Sequence, residues 1–243
     1  MGTLVEVGVA AGVGRIFLNR PAKVNALSSE LLDELLSAVR KIDARVVVLA
    51  GRGRAFCGGA DVNELASLAE DTAASFVLKI HSVCEAIRAF PVPVVASLHG
   101  ACIGAGLEIA AACDLRIAAD GTQLAMPEVR LGIPSVVEAA LLPRLVGAGR
   151  AAWLVLTGEP IDARTACDWG LVEETCTPEL LPARTERLVK NLLAGDARAL
   201  AMQKELLRTW EEAPLANSID TSARTFATAY RDGAPPALKR LLR

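Results

Sequence analysis

Aromatic residues are scarce in this chain, and neither sign of charge predominates. Of its 243 residues 4% are aromatic, and 26 Lys and Arg against 28 Asp and Glu leave a formal net charge of −2. Nucleic-acid-binding proteins usually need clustered cations for the phosphate backbone and aromatic rings on which bases stack. The composition therefore argues against a nucleic-acid partner.

Long apolar runs are also missing. The longest, residues 92–107, is interrupted by Pro93 and His99, and it is shorter than the ~20 residues that a membrane-spanning helix needs. The first residues lack the basic and apolar regions of a signal peptide, and Glu6 stands where a myristoylation signal has Ser or Thr. We therefore expect no membrane partner.

Cysteine pairs with the spacing of redox or metal motifs are absent. The six cysteines lie mostly among apolar residues, at positions 57, 84, 102, 113, 167 and 176. His81 has no His, Cys or Asp at the spacing of a metal site. We predict reduced thiols, no metal centre and a cytoplasmic location.

The chain is long enough to bury a single large core, and 52% of its residues are hydrophobic. The positive mean hydropathy, +0.37, indicates more buried surface than one monomer needs, so we expect a homo-oligomer. The change in composition along the chain predicts a core domain over residues 1–190 and an appended helical subdomain over residues 191–243.

Short apolar runs alternate with segments of helical periodicity, which is typical of an α/β fold. We predict an N-terminal hairpin, then a helix capped by Ser28 or Ser29, then a strand covered on both faces. After Pro134 the pattern is mostly helical, and from residue 178 it is entirely so. The predicted strands are residues 4–9, 14–18, 45–50, 92–98, 115–118, 122–125 and 171–174.

Two glutamates in apolar stretches indicate catalysis. Glu108 follows a glycine-rich turn, and Glu128 follows Pro127. An ionised carboxylate in apolar surroundings has a large desolvation cost unless it is paired or has a task. A buried ion pair would explain either residue alone, but two of them twenty positions apart favour acid/base chemistry.

Two glycine-rich turns, residues 51–61 and 100–106, each follow a predicted buried strand and precede a helix. Backbone N–H groups left free at such turns bind negative charge. They could hold either the phosphates of a dinucleotide or the oxygen of a thioester as that oxygen gains charge.

The dinucleotide alternative has one feature in its favour. The spacing of Gly100, Gly104 and Gly106 resembles the cofactor turn of short-chain dehydrogenases. Those enzymes also need a Tyr-x-x-x-Lys pair, whereas here the only tyrosine is Tyr230 and Ala234 stands in the place of the lysine. The thioester alternative is therefore favoured.

Seven segments, in order, resemble the enoyl-CoA hydratase/isomerase (crotonase) family, and the resemblance covers about residues 4–176. They are NRPAKVNAL (19–27), AFCGGAD (55–61), HGACIGAGLE (99–108), CDLRIA (113–118), MPEVRLG (126–132), LTGEPIDA (156–163) and WGLV (169–172). The resemblance implies a spiral of ββα turns with a C-terminal helical part that builds trimers, often stacked into hexamers.

The resemblance also implies the roles of the site residues. The backbone amides of Ala60 and Ala105 would form an oxyanion hole for an acyl-CoA thioester, and Glu108 and Glu128 match the two hydratase carboxylates. The residues implied to bind the substrate are Lys23, Ala60, Asp61, Val62, Gly104 and Ala105. Coenzyme A is part of the substrate, and no further cofactor is expected.

We expect the two carboxylates to have different protonation states. Glu108 lies in the first turn of its predicted helix, where the dipole favours the ionised form, whereas Glu128 follows a proline in an apolar loop. This predicts that Glu108 is the base and Glu128 the acid.

The chain departs from the hydratase pattern after Pro134, where Ser135 replaces the usual glycine. Glu138 is a third carboxylate in this segment. It either lines the acyl pocket or caps a helix and faces solvent, and we favour the second alternative.

Other functions stay open. A Δ3-Δ2-enoyl-CoA isomerase needs one carboxylate, at the position of Glu128, and the presence of Glu108 favours a hydratase. A non-catalytic scaffold, including an RNA-binding homologue, is disfavoured by the intact carboxylates and the balanced charge.

Several other residues have structural explanations. We predict that Asp61 caps a helix, that His99 is a hydrogen-bonded core residue and that Asp114 binds backbone or a neighbouring arginine. Cys57 and Cys102 flank the expected site without a base beside them, which argues against a nucleophilic role.

Overall fold

The computed structural model describes residues 2–231, 233–235 and 238. Within this part of the chain the strands are β1 Val5–Ala10, β2 Val13–Leu18, β3 Val46–Gly51, β4 Val94–Leu98, β5 Ala101–Ile103, β6 Leu115–Ala119, β7 Gln123–Ala125, β8 Ile161–Asp162 and β9 Glu174–Cys176.

The α-helices of the described residues alternate with these strands in the first half of the chain and predominate in the second half. They are α1 Ser29–Lys41, α2 Val62–Ser67, α3 Glu70–Ala89, α4 Ala105–Ala112, α5 Leu142–Val146, α6 Ala148–Thr157, α7 Ala163–Trp169, α8 Leu181–Ala194, α9 Ala197–Glu212 and α10 Leu215–Ala229.

The strands form two sheets. Six strands lie in the order β1-β2-β3-β4-β6-β9, and three lie in the order β5-β7-β8. The β1–β2 hairpin is antiparallel, and the other neighbours in the larger sheet are parallel. In the smaller sheet β5 and β7 are parallel, whereas β7 and β8 are antiparallel. The predicted α/β class is confirmed.

β3 has apolar residues throughout because both of its faces are covered. Val47 and Leu49 point into the main core beneath α1 and α3, whereas Val46 and Val48 form a smaller cluster with Val189 of α8. The parallel sheet is therefore enclosed between two helical layers.

Helix α1 begins where the sequence predicts. The Ser28 hydroxyl accepts a hydrogen bond from the Leu31 N–H at 3.3 Å and caps the helix. The apolar side of the helix, Leu31, Leu32, Leu35 and Val39, is buried in the main core. Capping and helical periodicity together account for this element.

Three short strands differ from the sequence prediction. β5, residues 101–103, lies inside the predicted turn, and β8, residues 161–162, lies in a segment predicted to be helical. The last strand is residues 174–176 rather than 171–174. Each has two or three residues and depends on a partner distant in sequence, so local periodicity carries little signal for it.

Helix α8 packs on the six-stranded sheet opposite the main core. It runs continuously through residue 190, where the sequence predicts the domain boundary. The division into two domains stays a prediction.

Helix α9 is tied to the core by one buried lysine. The Lys204 ammonium donates to the carbonyl oxygens of Ile87, at 3.0 Å, and Val92, at 3.1 Å, and lies 2.7 Å from the Asp114 carboxylate. Asp114 also accepts from the Val94 N–H at 2.7 Å. The predicted backbone contact of Asp114 is confirmed, but its ionic partner is a lysine rather than the expected arginine. No helix among the described residues is long and apolar enough to cross a bilayer.

Candidate active site

Strand β5 draws the two glycine-rich turns together. The Cys57 N–H donates to the Ala101 oxygen at 2.9 Å, and the Ile103 N–H donates to the Cys57 oxygen at 3.0 Å. This pairing places the segment after Cys57 directly beside the segment that leads into α4. Backbone hydrogen bonds therefore hold the two glycine-rich turns side by side.

Gly106 permits this close approach. A Cβ atom at Gly106 would lie 2.7 Å from the Cβ and 2.8 Å from the Sγ of Cys57, closer than side chains pack. The first turn of α4 can therefore rest on Cys57 only because residue 106 has no side chain.

The amides of Ala60 and Ala105 are both free in the described part of the chain. Ala105 is the first residue of α4, so its N–H has no partner within the helix. Ala60 lies between two residues that bind Leu27, since the Leu27 N–H donates to the Gly59 oxygen and the Asp61 N–H donates to the Leu27 oxygen. Two unpaired donors thus lie on adjacent loops, as an oxyanion hole requires.

Glu108 is buried in α4, with 4% of its surface exposed. Its Oε1 accepts a hydrogen bond from the Ala139 N–H at 3.2 Å. Burial, and next the negative charge of Glu128, raise the pKa of Glu108 from 4.5 to about 8. The charge of Glu138 acts in the same direction, and the Ala139 hydrogen bond opposes it.

The expected charge state of Glu108 is therefore wrong for the unliganded protein. The helix dipole was expected to keep Glu108 ionised, but desolvation and a like charge outweigh it. Glu108 therefore keeps its proton to a higher pH than an ordinary carboxyl group does, because its pKa is raised. The acid and base roles of Glu108 and Glu128 must therefore follow from where their carboxyl groups lie.

Glu128 begins a short 3-10 helix after Pro127. Its Oε1 lies against the backbone of Gly104, where an added Cβ would overlap it. The Ser135 hydroxyl donates to Oε2 at 2.8 Å. Glu128 therefore lies next to the Ala105 amide and is oriented by the residue at which the chain departs from the hydratase pattern.

Glu138 is buried, with 7% of its surface exposed, and the favoured expectation that it faces solvent or caps a helix is wrong. Its Oε1 lies 2.7 Å from the Nδ1 of His81 on α3. Its Oε2 is buried without a hydrogen-bond partner among the described residues. The 3-10 helix that carries it packs on α3 and α4, so the apolar surroundings of Val137 and Ala139 draw the carboxylate inside.

Asn25 organises the first loop, and the sequence analysis missed it. Its amide donates to the carbonyl oxygens of Arg52, Ala55 and Phe56 at 2.8–3.1 Å, and its Oδ1 accepts from the Arg20 N–H at 2.8 Å. Its backbone is left-handed, with φ +54°, a conformation that asparagine tolerates better than most residues. The preference of asparagine for this backbone conformation was the sequence signal that could have identified Asn25 as a turn residue.

The residues expected to bind the substrate differ in exposure, since Asp61 and Ala105 are buried. Lys23 and Val62 are exposed, and Val62 begins α2 directly after Ala60 and Asp61. The Asp61 carboxylate caps α2 by accepting from Asn63 N–H at 2.9 Å and pairs with a neighbouring arginine. The predicted cap is confirmed. Because the Asp61 side chain is engaged in this cap and ion pair, only the backbone of Asp61 is available for a substrate contact.

Two other predictions concern residues near the site. Burial raises the pKa of Cys57 to about 12 and that of Cys102 well above its usual range, so both thiols are neutral and poor nucleophiles. The Nε2–H of His99 donates to the Gly53 oxygen at 3.0 Å, as expected of a hydrogen-bonded residue, but His99 is half-buried rather than part of the core.

The chain is similar to known proteins over nearly its whole length. The family model described as enoyl-CoA hydratase/isomerase matches residues 8–232. YngF of Bacillus subtilis, which carries the name of that family, is 36% identical over 217 residues, 87% of this chain and 84% of the relative.

Solved structures of enoyl-CoA hydratases are also similar to this chain over nearly its whole length. The enoyl-CoA hydratase from Thermoplasma volcanium is 34% identical, with a TM-score of 0.91 over 99% of this chain and 96% of its own. The enoyl-CoA hydratase from Mycobacterium smegmatis is 31% identical, with a TM-score of 0.93 over 98% of this chain and 94% of its own.

Proposed function

The chain belongs to the enoyl-CoA hydratase/isomerase family, and from that premise we propose that it adds water across the C2–C3 double bond of a 2-enoyl-CoA thioester. The predicted family and its crotonase-like fold are confirmed. The observation that carries the hydratase proposal is the charge coupling of Glu108 and Glu128 beside two free amides.

The amides of Ala60 and Ala105 act on the thioester oxygen. Attack at C3 of a conjugated thioester moves negative charge onto this oxygen, and fixed N–H donors stabilise it there. One such donor is worth about 3–4 kcal/mol of transition-state stabilisation. The close packing of α4 on Cys57 keeps both donors in place.

The carboxylates move two protons. Glu128 gives a proton to C2, and Glu108 takes one from the water whose oxygen bonds to C3, so the substrate gains one H and one OH. We assign the acid role to Glu128 because its Oε1 lies at Gly104, next to the amide expected to hold C1. Glu108, one turn further along α4, is then the base for attack at C3.

An absorbance assay with crotonyl-CoA tests this function. Hydration removes the absorbance of the conjugated thioester, whereas isomerisation of a 3-enoyl-CoA creates it. Glu108→Gln and Glu128→Gln are each expected to lower the hydration rate by at least ~100-fold, because each removes one proton-transfer group.

The control is Glu30→Gln, an exposed residue in the first turn of α1, which should keep wild-type turnover. Near-normal hydration by either active-site variant would rule out the two-carboxylate mechanism. Activity on the 3-enoyl ester alone, lost in Glu128→Gln and kept in Glu108→Gln, would identify an isomerase. Inertness towards both esters together with tight RNA retention would support a scaffold.

The proposal extends to assembly and location. Helices α9 and α10 expose large apolar side chains, which we propose to be covered by further copies of the chain in a trimer or hexamer. They are Leu207, Trp210, Leu215, Ile219 and Phe226. Solution mass measures the assembly. A cytoplasmic location and a reaction without a cofactor beyond the coenzyme A of the substrate belong to the same proposal.

A further inference from the structure

His81 and Glu138 connect the surface of the molecule with its interior. The His81 side chain is 48% exposed on α3, whereas that of Glu138 is 8% exposed. The Nδ1 of His81 and the Oε1 of Glu138 are 2.7 Å apart. One end of this pair therefore exchanges protons with water, and the other end is enclosed.

The enclosed end of the pair lies beside the catalytic base. Ala139, the residue after Glu138, donates its N–H to Glu108 Oε1 at 3.2 Å. The 3-10 helix of Glu138 packs directly on α4, which carries Glu108. The second oxygen of Glu138, Oε2, is buried without a hydrogen-bond partner of ordinary geometry among the described residues, and the Cys84 thiol lies close to this carboxylate. An unpaired buried carboxylate oxygen is costly to fold, which indicates a task.

The proposed hydration leaves the proton pair in the wrong arrangement for another cycle. Each turnover ends with Glu108 protonated and Glu128 ionised, because Glu108 has taken a proton from water and Glu128 has given one to C2. Before the next cycle Glu108 must lose a proton and Glu128 must gain one.

We propose that Glu138 and His81 form a proton relay that carries the proton of Glu108 to solvent. The Glu108 and Glu138 side chains share no hydrogen bond among the described residues, so in this relay a water molecule carries the proton from the Glu108 carboxyl to the Glu138 carboxylate. The proton then passes to Nδ1 of His81, 2.7 Å away, and leaves at the exposed side of the imidazole. Glu128, on the cleft side, takes up a proton from solvent, so the number of protons on the protein is unchanged. This inference rests on the proposed hydratase function.

Few other ionisable groups lie near the Glu138 carboxylate. The ionisable groups that face Glu138 are Cys84 of α3 and Glu108 of α4. Burial, then the charges of Glu138 and Glu108, raise the pKa of Cys84 well above its usual range, so the thiol stays neutral. The other charged residues nearby on these elements are engaged or exposed: Lys79 with Asp33, Glu85 with Arg208, Arg88 with Glu212, and Arg144 in solvent.

The relay is tested by the kinetics of His81→Ala and Glu138→Gln. Both variants should lower kcat by about 10-fold or more with little change in KM, since resetting the pair becomes slow while thioester binding is untouched. The matched control is Ser82→Ala, which changes the neighbouring residue on α3 and should leave kcat unchanged.

Imidazole in the buffer separates a relay from a structural role. Because His81 is half-exposed, free imidazole can replace the missing ring, so it should restore kcat of His81→Ala in a concentration-dependent way. Imidazole should not restore kcat of Glu138→Gln, because that variant lacks the carboxylate between Glu108 and His81. Wild-type kcat in His81→Ala, or a loss in His81→Ala that imidazole leaves unchanged, would overturn the relay. His81 is at the surface, so this variant keeps the test available if Glu138→Gln fails to fold.

A second readout does not depend on turnover. After a rapid rise in pH, the infrared band of the protonated Glu108 carboxyl, identified by its loss in Glu108→Gln, should decay more slowly in His81→Ala and Glu138→Gln than in the wild type. Equal decay rates would refute the relay. Inactivity of the wild type on enoyl-CoA esters would instead refute the proposed function. The infrared decay rates would still show whether His81 and Glu138 carry the proton of Glu108.

Discussion

At the scale of single residues, the proposed catalytic role of Glu108 requires an ionised carboxylate, whereas its burial in the core disfavours that charge. Its carboxyl lies among apolar side chains in α4, with the charge of Glu128 nearby. Both features disfavour the ionised form that a base needs. A base whose pKa is raised towards neutrality takes up a proton from water more readily once it is ionised, so the unfavourable burial serves the chemistry.

Folding stability should therefore depend on Glu108. Its pKa is raised from 4.5 to about 8 in the folded protein, so between these values the folded state holds a proton that the unfolded chain has released. Stability then falls as pH rises through this window and levels off above about pH 8. Glu108→Gln removes the effect and should be more stable than the wild type at pH 8 by a few kcal/mol, at about 1.4 kcal/mol per pKa unit.

Urea unfolding at pH 5 and pH 8 measures this difference. It should be near zero at pH 5 and largest at pH 8, and Glu30→Gln should follow the wild type at both. Equal stability of Glu108→Gln and wild type at pH 8 would contradict the raised pKa.

At the scale of elements, the site depends on how closely α4 meets the loop of Cys57. The hydrogen bonds of β5 bring the two segments together, and Gly106 allows contact between them. The free amides of Ala60 and Ala105 lie on either side of this contact. The spacing of the two donors is therefore set by backbone packing rather than by a side chain.

Gly106→Ala should separate these segments. The new methyl group would lie 2.7 Å from the Cβ of Cys57, so α4 or the loop must move. We expect a loss of about 1–3 kcal/mol in the free energy of unfolding, and a larger proportional loss in kcat/KM because the oxyanion donors move apart. Thermal unfolding and the crotonyl-CoA assay measure the two effects.

Gly149→Ala is the matched control, since Gly149 is also a helical glycine but an added Cβ there meets nothing within 4 Å. It should stabilise the protein by up to about 1 kcal/mol through helix propensity and leave activity unchanged. Full activity in Gly106→Ala would show that the oxyanion site does not depend on this contact.

At the scale of the whole molecule, Lys204 joins the C-terminal helices to the catalytic core. Its ammonium is buried and satisfied by two carbonyl oxygens and the Asp114 carboxylate. Breaking a buried ion pair from one side leaves the other charge uncompensated. Lys204 is therefore the buried ionic contact of α9 with the core, beside the more exposed ion pairs of Arg208 with Glu85 and of Arg88 with Glu212.

Lys204→Met should destabilise the protein by about 3 kcal/mol, because it keeps the length of the side chain but leaves Asp114 without its cation. Lys190→Met, at an exposed position of α8, should change stability by less than about 0.5 kcal/mol. Denaturant unfolding of both variants provides the comparison. Similar stabilities would show that α9 is held mainly by apolar packing.

Sequence reasoning succeeded where a signal is local. The Ser28 cap, the apolar side of α1 and the β-branched run of β3 lie where they were predicted. The break between α2 and α3, at Leu68 and Ala69, contains no glycine or proline from which the sequence could have predicted it.

The same reasoning failed where a signal is tertiary. β5 and β8 are recognisable as strands only through their partners in the smaller sheet. Glu138 looks like a helix-start residue in the sequence, and only the packing of its segment on α3 and α4 buries it. Asn25 acquires its role from three carbonyl groups that lie about thirty residues further along the chain.

The amino-acid sequence by itself determined the α/β class, the family and the identity of the residues that can supply amides and carboxylates, because caps, periodicity and motif order are properties of neighbouring residues. The tertiary structure alone decided that burial raises the pKa of Glu108 and that a third carboxylate, Glu138, is buried on a neighbouring segment and contacts His81. The physical reason is that a pKa depends on desolvation and on charges brought close by folding, and neither exists until the chain has packed.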